Sequence, residues 1–158
     1  MSAKRIASNS DEQRRAEGAA LQRLATKLGI PRLEPKCVSL GDKSASLDGY
    51  WEGDGDVVLV EVNAHVGPMK AGTKNKVMKD AFKLVAVGRH LMAQGVAKRP
   101  RLVLTFVDEL ARNSFGEKSW ATVALKTMGI TREVCPVSPA EREALLAAQR
   151  RQDIRFQC

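Results

Sequence analysis

The run Val57-Val58-Leu59-Val60-Glu61-Val62 is nearly continuous in apolar, β-branched residues, as expected of a central strand buried on both faces. Arg101 to Val107 has the same character. Between the two runs the apolar period changes. Val77, Ala81, Leu84, Gly88, Leu91 and Met92 recur at helical spacing, predicting a helix that opens at Thr73 or Asn75 and runs to about Gln94. Upstream, Ala20, Leu21, Leu24 and Leu28 predict a helix over 11–28, with Ser10 or Asp11 as N-cap and Gly29 as the stop. Short strands are predicted at Cys37–Leu40 and Ser44–Trp51, and Glu52-Gly53-Asp54-Gly55-Asp56 is a strong turn signal before the first apolar run. Downstream come a helix over Ser119–Met128, a strand over Arg132–Val137 placed at a sheet edge by Pro136, and a final helix to about Gln152. Ser138-Pro139-Ala140-Glu141 opens that helix as a capping box with proline at its first position.

The element order is therefore α-β-β-β-α-β-α-β-α. Three strands joined by tight turns predict an antiparallel meander, and the following β-α-β predicts a parallel pairing. The expected class is α/β, more narrowly an α+β mixed sheet with helices on both faces. Residues 1–10 are polar and read as a disordered tail, leaving 11–158 as a single domain with room for a real core.

One residue breaks this pattern. Glu61 is a carboxylate inside a buried strand, and such a group must be paired, bound to a metal or neutralised. A second acid, Asp48, ends the preceding strand, with twelve residues between them. Two carboxylates on neighbouring strands can share a divalent metal. Charge adds a second asymmetry. From Pro68 to Arg101, nine lysines and arginines face Asp80 alone, so this segment carries the whole net charge of +8. Clustered positive charge is the footprint of a polyanion binder. Aromatic residues make up only 4% of the chain, which disfavours a base-stacking platform.

Other features narrow the picture. The three cysteines are scattered, without the spacing of a disulfide framework or a zinc site, and Cys37 and Cys135 read as small core residues. No apolar run is long enough to span a membrane, and no secretory leader is evident, so a cytoplasmic location is expected. Trp51 and Trp120 read as core or groove walls, His65 and His90 as structural, Asp80 as a partner of the lysines on its helix, and Asp108-Glu109 as caps of a following helical turn.

With Asp48, Glu61-Val62-Asn63 and the α-β-β-β-α-β order in hand, the chain over Glu12–Val107 resembles the PD-(D/E)xK nuclease superfamily. The resemblance implies an αβββαβ restriction-endonuclease-like core with extra C-terminal αβα elements. Glu17 matches the family's helical acid, Asp48 its aspartate, and Glu61-Val62-Asn63 its third motif. Asn63 stands where the family has lysine. Some members supply that lysine from the next helix, which makes Lys76 and Lys83 candidates, Lys76 being nearer the strand end.

The resemblance implies a metal-dependent endonuclease acting on nucleic acid, DNA in preference to RNA. Asp48, Glu61 and the Val62 or Asn63 carbonyl would hold Mg²⁺ (or Mn²⁺), with Glu17 acting through a second water or metal. Lys76, or Asn63, would position the attacking water. Lys70, Lys74, Lys79 and Lys83 would hold the phosphate backbone. A homodimer would let paired sites address both strands. Two other readings stand beside this one: a catalytically inactive domain of the same fold that binds nucleic acid or a protein partner, and an interaction module whose acids and lysines form an internal ion-pair network.

Overall fold

A computed structural model describes residues 9–155 of the chain. Helix α1 (Asn9–Leu28) leads into strands β1 (Glu34–Ser39), β2 (Ser44–Gly53) and β3 (Asp56–Asn63). Helix α2 (Ala71–Ala93) then leads to β4 (Arg101–Phe106), the short α3 (Glu109–Arg112), α4 (Trp120–Thr127), β5 (Ile130–Val134) and α5 (Pro139–Arg155). The five strands form one mixed sheet in chain order, β1-β2-β3-β4-β5. β1, β2 and β3 pair antiparallel, whereas β3, β4 and β5 pair parallel. The protein is thus an α+β mixed sheet, and β3 is its central strand.

Alternation along β3 sorts the core into two layers. Val57 and Leu59 face α2 and α4, where they join Val77, Leu84, Phe106 and Leu125. Val58, Val60 and Val62 face the other way, onto Ala20, Leu21 and Leu24 of α1 and Leu145 of α5. Both faces of β3 are covered, which is why its sequence is apolar at nearly every position rather than at every second one. The β2–β3 connection is a two-residue turn, Asp54-Gly55, flanked by the paired Gly53 and Asp56. Both turn residues have positive φ, 51° and 78°. That is the type I′ geometry whose twist suits a tight hairpin and for which Asp-Gly is a preferred pair.

Several expectations need correction. Helix α1 already includes Asn9 and Ser10, so Ser10 and Asp11 lie inside it and neither is its N-cap; residues 1–8 of the expected tail lie outside the described residues. β1 begins three residues earlier than expected and tolerates Pro35 because it is an edge strand. Cys37, on that edge, is exposed, while Cys135 is buried as expected. Met92 lies on the solvent side of α2, and Val87 completes the buried stripe instead. Trp120 is 86% exposed and walls no core. The capping box of α5 is present: Ser138 N–H donates to Glu141 Oε2 at 3.0 Å, and Glu141 N–H donates to Ser138 Oγ at 3.2 Å. Among the described residues no helix is long and apolar enough to cross a membrane.

Helix α1 approaches the sheet closely at Gly49. A β-carbon there would stand 2.7 Å from Leu21 Cδ2 and 3.2 Å from Val60 Cβ. Leu21 can turn aside, but Val60 is fixed in the central strand. Gly49→Ala is therefore expected to destabilise the fold by roughly 1–3 kcal/mol, the usual range for overpacking. Urea denaturation checks this as a lower midpoint at unchanged slope.

Candidate active site

The site is built from a defect in the sheet. On passing from Glu34 to Lys36 in β1, the partners on β2 move from Tyr50 to Leu47, so β2 has one residue more than its neighbour needs. Such a bulge bends a strand and re-aims its side chains. Asp48 lies within it. The regular β2–β3 ladder ends at the Gly49–Val60 pair, and beyond it the Val62 N–H is taken by Asp48 Oδ2 at 2.8 Å. A side chain has replaced the backbone acceptor, which fixes one carboxylate oxygen of Asp48 against β3.

Glu61 follows from the alternation of β3. It has the parity of Val57 and Leu59, so it points toward α2, and it is only 3% exposed. The ammonium of Lys83 meets it there, with Nζ 2.9 Å from Glu61 Oε1 and 3.8 Å from Asp80 Oδ1. Lys83 also donates to the Ser46 carbonyl at 2.9 Å. The approach to Glu61 is close but poorly directed, and Glu61 Oε1 is a fully buried atom with no well-angled hydrogen bond. Burial pushes the Glu61 carboxyl up to about 8; the Lys83 ammonium opposes this shift, and the charges of Asp48 and Asp80 add to it.

Two further acids complete the cluster. Glu17, from α1, is held by Gln13 Nε2 at 3.0 Å. Its carboxyl is raised by burial and by the charge of Asp48, against the opposing pull of Gln13, Lys76 and Arg14. Asp80 is raised by burial and by Asp48, against Lys83 and Lys76. Asp48 thus acts on Glu17, Glu61 and Asp80 alike, while Lys76 and Lys83 offset the charge. Among the described residues, no three histidine, cysteine, aspartate or glutamate side chains are grouped closely enough to form a ready-made metal cage.

Beside the cluster is a pocket of about 190 Å³ lined by Gln13 of α1, Asn63 at the end of β3, Thr73 and Lys76 of α2, and Gln149 and Gln152 of α5, among others. Its floor is the irregular segment after β3, whose backbone groups are satisfied by side chains. His65 N–H donates to Asn63 Oδ1 at 3.2 Å. The Gln149 amide pairs with Val66 in both directions, accepting from its N–H at 2.8 Å and donating to its carbonyl at 3.1 Å. Gly67 N–H donates to Asp108 Oδ2, and Met69 N–H donates to Ser114 Oγ at 2.8 Å. Arg142 of α5 grips the other Asp108 oxygen at 2.9 Å.

The residues singled out from the sequence are distributed as follows. Glu17, Asp48 and Glu61 come together, and Lys76 and Asn63 line the adjoining pocket. Asn63 Oδ1 is engaged by His65, leaving only its amide nitrogen to face the pocket. Lys83 is not a free backbone-binding cation; it is the internal counter-ion of Glu61, because its length and its place two turns beyond Lys76 bring it over β3. Lys70 and Lys79 are exposed and Lys74 partly so, Lys70 reaching Asp153 at 4.0 Å. Asp108 does not cap α3 with its side chain, since Gly67 and Arg142 claim it. Sequence reasoning missed α5 altogether as a wall of the site. Gln149 has no signal, being a glutamine in a polar helix, whereas a buried acid at Asp108, just past an apolar strand, is the one clue that a cation had to reach it. No protein-family model, curated protein or solved structure matches this chain.

The raised Glu61 carboxyl makes stability pH-dependent. The folded protein binds that proton more tightly than the unfolded chain, whose carboxyl has the ordinary value near 4.5. The stabilisation is complete below that value and is lost as pH rises from about 4.5 through about 8. Glu17 and Asp80 act in the same direction. Thermal unfolding is expected to show a melting temperature that declines over this window in the parent and declines less in Glu61→Gln. Equal slopes for the two proteins would count against Glu61 as the dominant group.

Proposed function

We propose that the protein is a metal-dependent phosphodiesterase acting on nucleic acid. The observation that carries this reading is the buried Glu61 carboxylate, which shares one sheet end with Asp48, Glu17 and two lysines beside an open pocket. The donor chemistry fits a hard divalent ion. Glu61 Oε1 is a buried acceptor that meets only the poorly directed Lys83 ammonium, and Asp48 has one oxygen fixed on Val62 while the other has no hydrogen-bond partner among the described residues. Mg²⁺ asks little of the protein, since one or two carboxylates suffice when waters and substrate phosphate complete its shell. Asp48 and Glu61 would hold it, with the Val62 carbonyl as a third oxygen. When bound, the ion supplies charge for the phosphate and a more acidic water.

The chain's own residues do the rest. Lys83 supplies beside Glu61 the positive charge that Asn63 lacks, and so takes the part first assigned to Lys76. Lys76, with Asn63 and Thr73, faces the pocket and receives a phosphate oxygen. Glu17, whose carboxyl is raised chiefly by burial, would act from α1 through a second water or metal. Lys70, Lys74 and Lys79 present a cationic rim along the start of α2, giving affinity that falls with salt and carries little sequence preference. DNA is the preferred substrate class, and a two-fold dimer would suit cleavage of both strands.

A second reading rests on the Glu61–Lys83 contact. That pair already neutralises the buried acid, so the fold is complete without an ion, and a non-catalytic nucleic-acid binder of the same architecture follows.

Cleavage of plasmid and single-stranded oligonucleotides with Mg²⁺ or Mn²⁺, abolished by EDTA, is the expected outcome. Glu61→Gln and Asp48→Asn should each reduce the rate by more than about 100-fold, beyond the 10–100-fold typical of residues that merely support metal ligands. Both should retain salt-sensitive binding in a mobility-shift assay. Lys83→Met should impair cleavage more than Lys76→Met. Binding without any cleavage by the parent protein would select the second reading.

A further inference from the structure

A separate cavity of about 360 Å³ opens between α4 and the edge strand β5, lined by Arg112, Glu117, Thr122, Val123, Lys126, Ile130 and Arg132. It shares no lining residue with the pocket beside Glu61. Three cations line it against one acid. The Arg132 guanidinium emerges from β5 toward α4, and its Nη1 is fully buried without a hydrogen-bond partner. Arg132 is also weakened as a cation, first by burial and then by the charge of Arg112. Glu117 opposes that effect from a distance and forms no ion pair with it. Arg112 spends one nitrogen on its neighbour Asn113 at 3.1 Å. Buried donors are ordinarily satisfied. Two arginines that repel each other around a polar cavity, one with an orphaned donor, form a site short of an anion.

The anion's character follows from the donors and the surroundings. Guanidinium groups present planar forks that match the oxygens of a phosphate. Thr122 cannot help, because its hydroxyl is already given to the Gly116 carbonyl at 2.9 Å. Trp120, the first residue of α4 and one turn before the lining residue Val123, is 86% exposed and offers an unused aromatic face. Such a face stacks readily on a nucleobase. We propose that this cavity binds the terminal phosphate of a nucleotide unit, with Arg132 and Arg112 on the phosphate, Lys126 at the rim and Trp120 against the base. The same chemistry is offered by a free mononucleotide and by the 5′-phosphorylated end of a strand. The proposal does not depend on any activity at Glu61.

Calorimetric titration at low salt tests it with inorganic phosphate, a nucleoside 5′-monophosphate, the matching nucleoside, and one oligonucleotide carrying either a 5′-phosphate or a 5′-hydroxyl. The nucleoside monophosphate is expected to bind more tightly than inorganic phosphate, and Trp120→Ala should remove that difference. Arg132→Met and Arg112→Gln should each weaken binding roughly 10-fold or more, as expected for loss of a charged hydrogen bond. Glu117→Gln should strengthen it. Arg132→Met removes a buried donor without a partner, so its melting temperature should equal or exceed the parent's, and Arg112→Gln gives an independent reading. A gain from the 5′-phosphate on the oligonucleotide assigns the site to strand ends; mononucleotide binding without such a gain assigns it to the free nucleotide, and both support the site. No binding of any phosphate ligand, or binding unchanged in both arginine variants, overturns it. Equal affinity for inorganic phosphate and the mononucleotide overturns the nucleotide assignment.

Discussion

A central strand that must carry a carboxylate through the interior constrains everything around it. β3 is covered on both faces, so Glu61 is almost wholly shielded from water and cannot be solvated by turning aside. Stripping water from a charge is expensive unless a counter-charge and hydrogen bonds replace it. The protein answers with Lys83, drawn inward from α2, whose ammonium is shared among Glu61, Asp80 and the Ser46 carbonyl. That answer is incomplete. One Glu61 oxygen remains without a directed bond, and the proton is held more tightly than in water. An arrangement serving only stability would sit better with an apolar residue of similar volume. The unfinished coordination is what the proposed metal-binding role of Glu61 rests on.

The bulge in β2 is the matching device on the neighbouring strand. A regular ladder would have given the Val62 N–H a backbone acceptor and left the Asp48 side chain elsewhere. By adding one residue, β2 substitutes the Asp48 carboxylate at that point. Local irregularity thus places a charged group beside β3 without a loop, on two rigid strands, where its position is held by the sheet.

Much of this was legible in the chain. The apolar run broken by Glu61, the Asp-Gly hairpin, the stripe of α2 and the capping box at Ser138 each rest on short-range patterning, and each is present in the fold. Asp80 beside Lys83 follows from helical spacing alone. What could not be read depends on side chains far apart in sequence. Whether Lys76 or Lys83 reaches Glu61 is decided by how α2 lies over β3, not by its period. Cys37 looks apolar in context, yet its strand is the sheet edge. Trp120 resembles a core residue by type, but Thr122 and Leu125 take the buried side of α4 and leave it outside. Gln149 acquires its role only because α5 folds back across the segment after β3.

That last contact divides the labour of the site between the two ends of the chain. Every acid and lysine of the site is in the first 83 residues, on elements that pair with near neighbours in the chain. The far wall of the pocket, with Gln149 and Gln152, belongs to α5, as does Arg142, which secures Asp108 against Gly67. The charged cluster is supplied by α1, β2, β3 and α2, whereas the groove beside it is closed on one side by α5. Docking of residues 139–155 is what turns a patch of charges into a pocket.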